Sequence, residues 1–220
     1  MTRLEFRDRL ARRTRRTKAP ITLAMLEPLE AYFRLLAHWN TKINLTSLTL
    51  DPPTDEAFDR LLVEPLAASK HVPTHASSVW VDLGSGGGSP AIPLKIARPA
   101  LNLTMIESKE RKGAFLREAV RVLELEDATV ETERFEASAA APEHVATADL
   151  VTARAVRIDS EFFHAAGQLL KNGGQLFLFR PAHSPSSDPA GWKRINTFPL
   201  IDSPPSFLSI YQRVFHVEHP

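Results

Sequence analysis

One stretch of the chain combines residue types that hold small polar ligands in proteins. Residues 79–83 suit a buried strand that includes the acidic Asp82, and residues 90–97 suit a helix. The turn between them is rich in glycine, at Gly84, Gly86, Gly87 and Gly88. Glycine adopts positive φ and lets a ligand approach the backbone, while the first N–H groups of a helix are unpaired. The stretch predicts a polar binding site, and a surface turn without a ligand remains the alternative.

The spacing of the glycines separates two kinds of ligand. A dinucleotide loop has the pattern Gly-x-Gly-x-x-Gly, whose third glycine would fall at position 89, and this chain has Ser89 there. The pattern acidic–apolar–Gly-x-Gly-x-Gly is complete and resembles that of class I methyltransferases, which use S-adenosylmethionine. A carboxylate suits this cofactor because its sulfonium and amino groups are cationic. The pattern therefore predicts S-adenosylmethionine, with a nicotinamide cofactor as the weaker alternative.

Further candidate ligands follow the next predicted strands. Glu107 comes 23 residues after Gly84 and can accept hydrogen bonds from both ribose hydroxyls, although acids are also common at helix starts. Phe135 and Glu136 are candidates for the adenine edge, and Phe135 suits the core equally well. Arg154 ends a strand, where it can bind the cofactor carboxylate, a substrate phosphate or a structural acid.

The composition restricts the class of protein. The chain has 220 residues, 43% hydrophobic and 24% charged, as in soluble globular proteins. It has no cysteine, which excludes disulfides and thiolate chemistry, and its eight histidines show no metal-ligand spacing. No apolar run approaches the roughly 20 residues of a membrane span, and no signal peptide is recognisable. We expect a cytoplasmic monomer without a metal.

Residues 1–72 predict an N-terminal helical extension. A short helix without a strong apolar face is expected within residues 1–20, and a main helix begins near Pro28, with the proline in its first turn. Another helix runs from about Thr54, as N-cap, to Ser69.

From residue 73 onward strands and helices alternate, which predicts an α/β fold with a mostly parallel seven-stranded sheet and helices on both faces. We expect the strands at 79–83, 101–106, 128–130, 149–153, 175–179, 194–198 and 207–212. Ser108 is expected to cap a helix that runs to about Leu123, and 181–191 is expected to be a loop. Residues 73–220 are thus predicted to form a Rossmann-like class I methyltransferase domain.

A basic run stands out near the start of the chain. It consists of Arg12, Arg13, Arg15, Arg16 and Lys18. Such a run attracts nucleic-acid phosphates, and a solvated terminus is the alternative.

Several segments resemble the glucose-inhibited division protein B family. They are the bend 39–46, the loop 82–94, the pair Glu107-Ser108 and the pair Arg154-Ala155. The resemblance runs from about residue 30 to 180 and is most specific at the bend and at residues 92–94. The family methylates a guanosine of 16S ribosomal RNA at N7, which implies ribosomal RNA or the small subunit as partner. The implied cofactor contacts are Gly84, Ser89, Phe135, Glu136 and Arg154.

Some positions depart from the family pattern. Family members have a larger apolar residue at 89, glycine at 91, Arg-His…Asp-Ser around 60–65, and a lysine after the fifth strand. This chain has Ser89, Ala91, Leu61, Glu64, Pro65 and Arg180, and Pro205-Ser206 in place of a Glu-Arg pair. The substrate side changes more than the cofactor side. A methyltransferase of another substrate, or a non-catalytic RNA-binding relative, is therefore the alternative.

Overall fold

The computed structural model describes residues 1–73, 78–181 and 188–214. The strands are β1 (Val79–Leu83), β2 (Asn102–Ile106), β3 (Ala128–Glu131), β4 (Ala148–Arg154), β5 (Leu170–Pro181), β6 (Trp192–Asp202) and β7 (Pro205–Arg213). The helices are α1 (Arg3–Thr17), α2 (Leu23–Asn40), α3 (Asp55–Phe58), α4 (Glu64–Ala68), α5 (Ala91–Ala97), α6 (Glu110–Val122), α7 (Phe135–Ala140) and α8 (Ser160–Leu169). A π-helical turn, Asp59–Val63, joins α3 to α4, and the 3₁₀ turn Ser69–His71 follows α4.

The strands form one sheet in the order β3-β2-β1-β4-β5-β7-β6. The first five in this order are parallel, and β7 runs antiparallel to both β5 and β6. The predicted mostly parallel seven-stranded sheet is confirmed. Because β2 and β4 lie on opposite sides of β1, a crevice opens at the carboxyl ends of β1 and β4.

Alternating side chains of the central strands point to two separate cores. Trp80 belongs to one core, with helices α1, α2, α4, α5 and α6, whereas Val81 belongs to the other, with α8. Because side chains alternate along a strand with a period of two, both faces of the sheet are apolar and are covered by helices, as predicted. None of the helices in the described ranges is long and apolar enough to cross a membrane.

The N-terminal helices share the first core with the sheet. Phe6 and Leu10 of α1 are fully buried, and the ring of Phe6 lies 5.2 Å from that of Phe58. The helix expected within residues 1–20 is confirmed, but the expectation that it lacks a strong apolar face is wrong. Helix α1 is stabilised by residues distant in sequence, since Arg9 and Arg13 form ion pairs with acidic residues 46 positions later in the chain.

Two predicted helix starts are also wrong. Helix α2 begins at Leu23, with Pro28 inside it, and the partly buried Met25 and Leu26 of its first turns pack against the core. Helix α6 begins at Glu110 without a side-chain cap from Ser108. Thr54 caps α3 as predicted, since its hydroxyl accepts a hydrogen bond from the N–H of Ala57 at 3.1 Å.

The proposed boundary near residue 72 and the loop at 181–191 lie partly outside the described residues. The division into 1–72 and 73–220 stays a prediction. In the described part of the chain, one hydrophobic cluster includes residues from both sides of that boundary.

Candidate functional site

A cavity of about 970 Å³ opens at the carboxyl ends of the parallel strands. Its walls come mainly from segments 44–48, 56–64, 84–89, 106–109, 154–157 and 179–181. Three of these segments directly follow β1, β2 and β4, so the sheet topology itself brings them together. The other walls come from the helices before the sheet and from the end of β5.

The glycine loop after β1 is held against the end of β2. The N–H groups of Gly84 and Ser85 both donate to the carbonyl of Ile106, at 2.9 and 3.0 Å. Gly84 has φ of 71°, and a Cβ there would lie 2.4 Å from Cγ1 of Val156. A Cβ at Gly86, which lines the cavity, would meet no atom closer than 3.7 Å. The loop therefore leaves open space beside Gly86 at the cavity wall.

Asp82 lies beneath this loop rather than in the cavity. It is 1% exposed, and its Oδ2 accepts a hydrogen bond from the Ser85 hydroxyl at 2.6 Å. Its Oδ1 accepts from the hydroxyl of Thr152, which in turn accepts from Nε1 of Trp80 at 2.9 Å. Burial raises the pKa of Asp82 to about 6. Its effect on a ligand would pass through the loop, and its role in cofactor binding stays a prediction.

Glu107 reaches the cavity from the end of β2. Its Oε2 accepts the N–H of Gly86 at 2.9 Å, and its Oε1 accepts the N–H of Lys109 at 2.8 Å. The second bond ties the carboxylate to the backbone just before α6, whose N-cap position is Lys109 rather than Ser108. A carboxylate has about four acceptor sites, so Glu107 retains capacity for ligand hydroxyls.

Of the neighbouring residues Phe135 and Glu136, only Phe135 lies at the cavity. Phe135 lines the cavity, and its ring also contacts the buried Phe162 at 6.0 Å between centroids. It therefore packs against the second core while it faces the cavity, and its contact with adenine stays a prediction. Glu136 lies outside the cavity, paired with Arg134 at 3.4 Å. Gly88 does not line the cavity either, and it packs closely on α5, since a Cβ there would lie 2.5 Å from Cδ1 of Ile92.

Arg154 lines the cavity and is anchored by the helices before the sheet. Its guanidinium pairs with Glu64 and donates to the carbonyl of Arg60. Glu64 is 1% exposed and also accepts from Nη1 of Arg60 at 2.8 Å. Burial lowers the pKa of Arg154, and Glu64 opposes this effect. The two arginines share this buried carboxylate, and Arg60 also lies 3.9 Å from Glu56, so each guanidinium has an acidic partner.

Two departures from the family pattern, Pro65 and Ser89, meet at this wall. Pro65 has no N–H group to donate. In an α-helix this N–H would bond the carbonyl of Leu61, and in a π-helix it would bond the carbonyl of Arg60, so both carbonyls lack this backbone donor. The Ser89 hydroxyl instead donates a hydrogen bond to the Leu61 carbonyl at 3.0 Å, and the guanidinium of Arg154 donates one to the Arg60 carbonyl. Arg154 also donates to the Ser89 oxygen at 3.1 Å. The two departures are therefore structurally coupled.

The bend after α2 forms a cavity wall that the sequence patterns did not assign to the site. The Asn40 side chain fixes it, since Oδ1 accepts the N–H groups of Leu45 and Thr46, each at 2.9 Å. The hydroxyl of Tyr32 donates to the carbonyl of Gly87 at 2.7 Å, which ties α2 to the glycine loop. The Asn…Asn-Leu-Thr pattern was the available signal.

Basic side chains at the cavity were also missed. Arg60, Lys109, Lys112 and Arg157 line it together with Arg180. Lys109 and Lys112 lie at the start of α6 and the other three lie on separate elements, so no single motif groups all five. Within the described ranges, no group of three or more histidine or acidic side chains is placed to hold a metal ion.

The fold is that of S-adenosylmethionine-dependent methyltransferases. One such enzyme from Aquifex aeolicus superposes with a TM-score of 0.57 at 15% identity, covering 70% of this chain and 91% of that chain. A putative methyltransferase from Escherichia coli gives 0.56 at 15% identity, with coverages of 70% and 87%.

Within this class the chain belongs to the GidB family, rRNA small subunit methyltransferase G, whose model matches residues 25–188. Ribosomal RNA small subunit methyltransferase G of Xanthomonas axonopodis pv. citri is 39% identical over 180 residues, 80% of each chain. The protein of that name from Bacillus pumilus is 34% identical over 177 residues, 80% of this chain and 73% of its own. The resemblance seen in the sequence is confirmed.

Proposed function

We propose that this chain transfers a methyl group from S-adenosylmethionine to N7 of a guanosine in small-subunit (16S) ribosomal RNA. Membership of the GidB family supports this reaction. The observation that carries it is the placement of Glu107 and Gly86 together at the cavity wall, where β1 and β2 end. In a sheet of this topology, the carboxyl edge is where ligands bind.

The residues present fit the cofactor. Glu107 can accept hydrogen bonds from ribose hydroxyls while it holds the loop, and the ring of Phe135 offers an apolar face for adenine. Arg154 carries the charge needed for the cofactor carboxylate, and Gly86 leaves the backbone open. Ser89 is predicted to contact the cofactor, although its hydroxyl already bonds Leu61. Asp82, Gly84 and Gly88 would act by shaping the loop.

The reaction itself requires positioning more than proton transfer. The cofactor supplies an electrophilic methyl group on its sulfonium. Guanine N7 carries an accessible lone pair that forms the new N–C bond, while the electrons of the broken S–C bond stay on sulfur. No general base is required, so the residues of the cavity act by holding N7 in line with the methyl group. Such alignment can supply roughly 7–11 kcal/mol of the barrier.

The lysines and arginines at the cavity suit an RNA substrate. Lys109, Lys112, Arg157 and Arg180 can bind phosphates around an exposed base. We infer that ribosomal RNA or the assembled small subunit is the partner, and that the protein acts as a cytoplasmic monomer. Light scattering after gel filtration tests the oligomeric state.

The direct test uses methyl-labelled S-adenosylmethionine with small ribosomal subunits that lack N7 methylation, and with naked 16S RNA in parallel. After digestion to nucleosides, we expect labelled 7-methylguanosine from a single site. No label, with cofactor binding intact, would overturn the proposed substrate. Transfer to neither RNA form, with RNA still bound, would identify a non-catalytic RNA-binding relative.

A further inference from the structure

We propose that α1 carries a docking surface for phosphates of the RNA substrate. The surface, called here the basic face, consists of Arg12, Arg15 and Arg16. These positions are spaced by three and four residues and so lie on one side of the helix, and all three are exposed. The proposal rests on the proposed function, since it takes the same RNA as its ligand. It extends the RNA contact beyond the cavity to a second element.

The charge of this segment is not neutralised within the part of the chain that the structure describes. No acidic residue occurs between Asp8 and Glu27. Arg9 and Arg13 are used internally, in ion pairs with Asp55 and Asp59. The basic face forms no ion pair with a described residue; Arg12 is only near enough to Asp55 to help lower its pKa, after Arg9 and Arg13. Three cations are therefore left for an external anion.

The basic face stands on a rigid support. Helix α1 starts with a capping box between Thr2 and Glu5 and ends with Lys18 in the left-handed conformation. Its opposite side is fixed by the buried side chains of Phe6 and Leu10. An ordered helix presents its arginines at fixed spacing, so less entropy is lost on binding than for a flexible arm.

The internal ion pairs place the basic face beside the cavity wall. Both pairs join residues that are 46 positions apart, so α1 runs parallel to the segment 55–64. In this register residues 12–16 lie alongside 58–62, which includes the cavity residues Arg60 and Leu61. Packed helices lie about 8–10 Å apart. An RNA strand with one base at the cavity can therefore reach the basic face within a few nucleotides.

Two observations favour RNA over an anionic membrane as the occupant. A helix that lies on a membrane needs an exposed apolar side. The apolar side of α1 is not exposed, because Phe6 packs against Phe33 and Phe58. The cavity beside it also has basic residues at its rim. Helix α1 lies before residue 25, where the family match begins, so the surface is not part of what that match covers.

The test compares two triple variants of the full chain. Arg12→Gln/Arg15→Gln/Arg16→Gln removes the basic face, and Lys70→Gln/Arg121→Gln/Lys193→Gln removes three exposed charges at the opposite end of the sheet. Binding of fluorescently labelled 16S RNA is measured from 50 to 200 mM salt. We expect the first variant to bind at least tenfold more weakly at 100 mM salt. The slope of log K against log salt should fall by about 0.7–0.9 for each phosphate that the variant no longer binds.

The control variant should keep the wild-type slope, and both variants should keep wild-type affinity for S-adenosylmethionine. If wild type methylates RNA, the first variant should raise KM for RNA and leave kcat unchanged. A failed methylation assay would remove the proposed function but leave the binding comparison intact. Equal loss in both variants, loss in neither, or loss of binding only to phosphatidylglycerol vesicles would overturn the proposal.

Discussion

The hydroxyl of Ser89 donates a hydrogen bond to the backbone carbonyl of Leu61 at 3.0 Å, across 28 residues of chain. This bond joins the loop after β1 to the helical segment before the sheet. It gives the Leu61 carbonyl a hydrogen-bond donor in place of the backbone N–H that Pro65 lacks. One small side chain therefore both completes a helix and fixes the position of a cavity wall.

The first prediction concerns this replacement. Ser89→Ala should destabilise the protein by about 1–3 kcal/mol, because the Leu61 carbonyl would stay buried without a donor. Pro65→Ala restores a backbone N–H in the same helix, so Ser89→Ala should cost less in that background. Urea denaturation of the two single variants and the double variant gives the coupling energy. Strictly additive effects would show that the two positions are independent.

The second prediction concerns the buried carboxylate shared by two arginines. Glu64→Gln should destabilise the protein by about 3 kcal/mol, since Arg154 would lose its charged partner in a buried site. Glu56→Gln is the matched control, because Glu56 is half exposed and lies 3.9 Å from Arg60. It should cost no more than about 0.5 kcal/mol. Similar unfolding free energies for both variants would mean that Glu64 is effectively solvated.

The third prediction concerns pH. The pKa of Asp82 is raised by burial from 3.8 to about 6, so its contribution to stability is present at low pH and is lost as pH rises through 6. In Asp82→Asn this loss is absent. Relative to wild type, the variant should gain about 2 kcal/mol between pH 4.5 and 7.5 in urea denaturation. A difference that does not change with pH would place the titration of Asp82 at its ordinary value.

The fourth prediction concerns the cofactor. Glu107→Gln keeps one acceptor oxygen but removes the charge, so S-adenosylmethionine should bind about 10- to 100-fold more weakly by calorimetry. Glu110→Gln is the control, because Glu110 lies in the first turn of the helix that follows and its side chain is 77% exposed. It should bind as wild type does. Unchanged affinity in Glu107→Gln would move the ribose contact to another residue.

The sheet was predictable because its signals are local. Alternation of strands and helices defined all seven strands, and glycine at positions of positive φ marked the loop at Gly84 and Gly86. Patterns that follow from one segment at a time are visible in a single sequence. The cavity walls formed by the glycine loop and by Glu107 follow from the same patterns.

The contacts of Arg154 and Ser89 at the cavity wall were not predictable, since they depend on distant partners. Arg154 meets Glu64 across 90 residues, and Ser89 meets Leu61 across 28. The start of α2 was missed because Pro28 lies inside the helix, whose first turns pack against the core. Ser108 is not the cap because the helix starts one residue later than expected, with Lys109 at the N-cap position. For Arg154 and Ser89, an interaction in three dimensions decided the outcome.

Strand β7 lies between β5 and β6, although it is the last of the three to be synthesised. While the chain emerges from a ribosome, one edge of β5 therefore stays unpaired until residues 205–213 have been synthesised. The core that Phe6 joins also includes Leu208, so it closes only when both ends of the described chain have met. Completion of the sheet thus requires residues 205–213. A chain interrupted before Pro205 would expose unpaired edges of β5 and β6 and should aggregate.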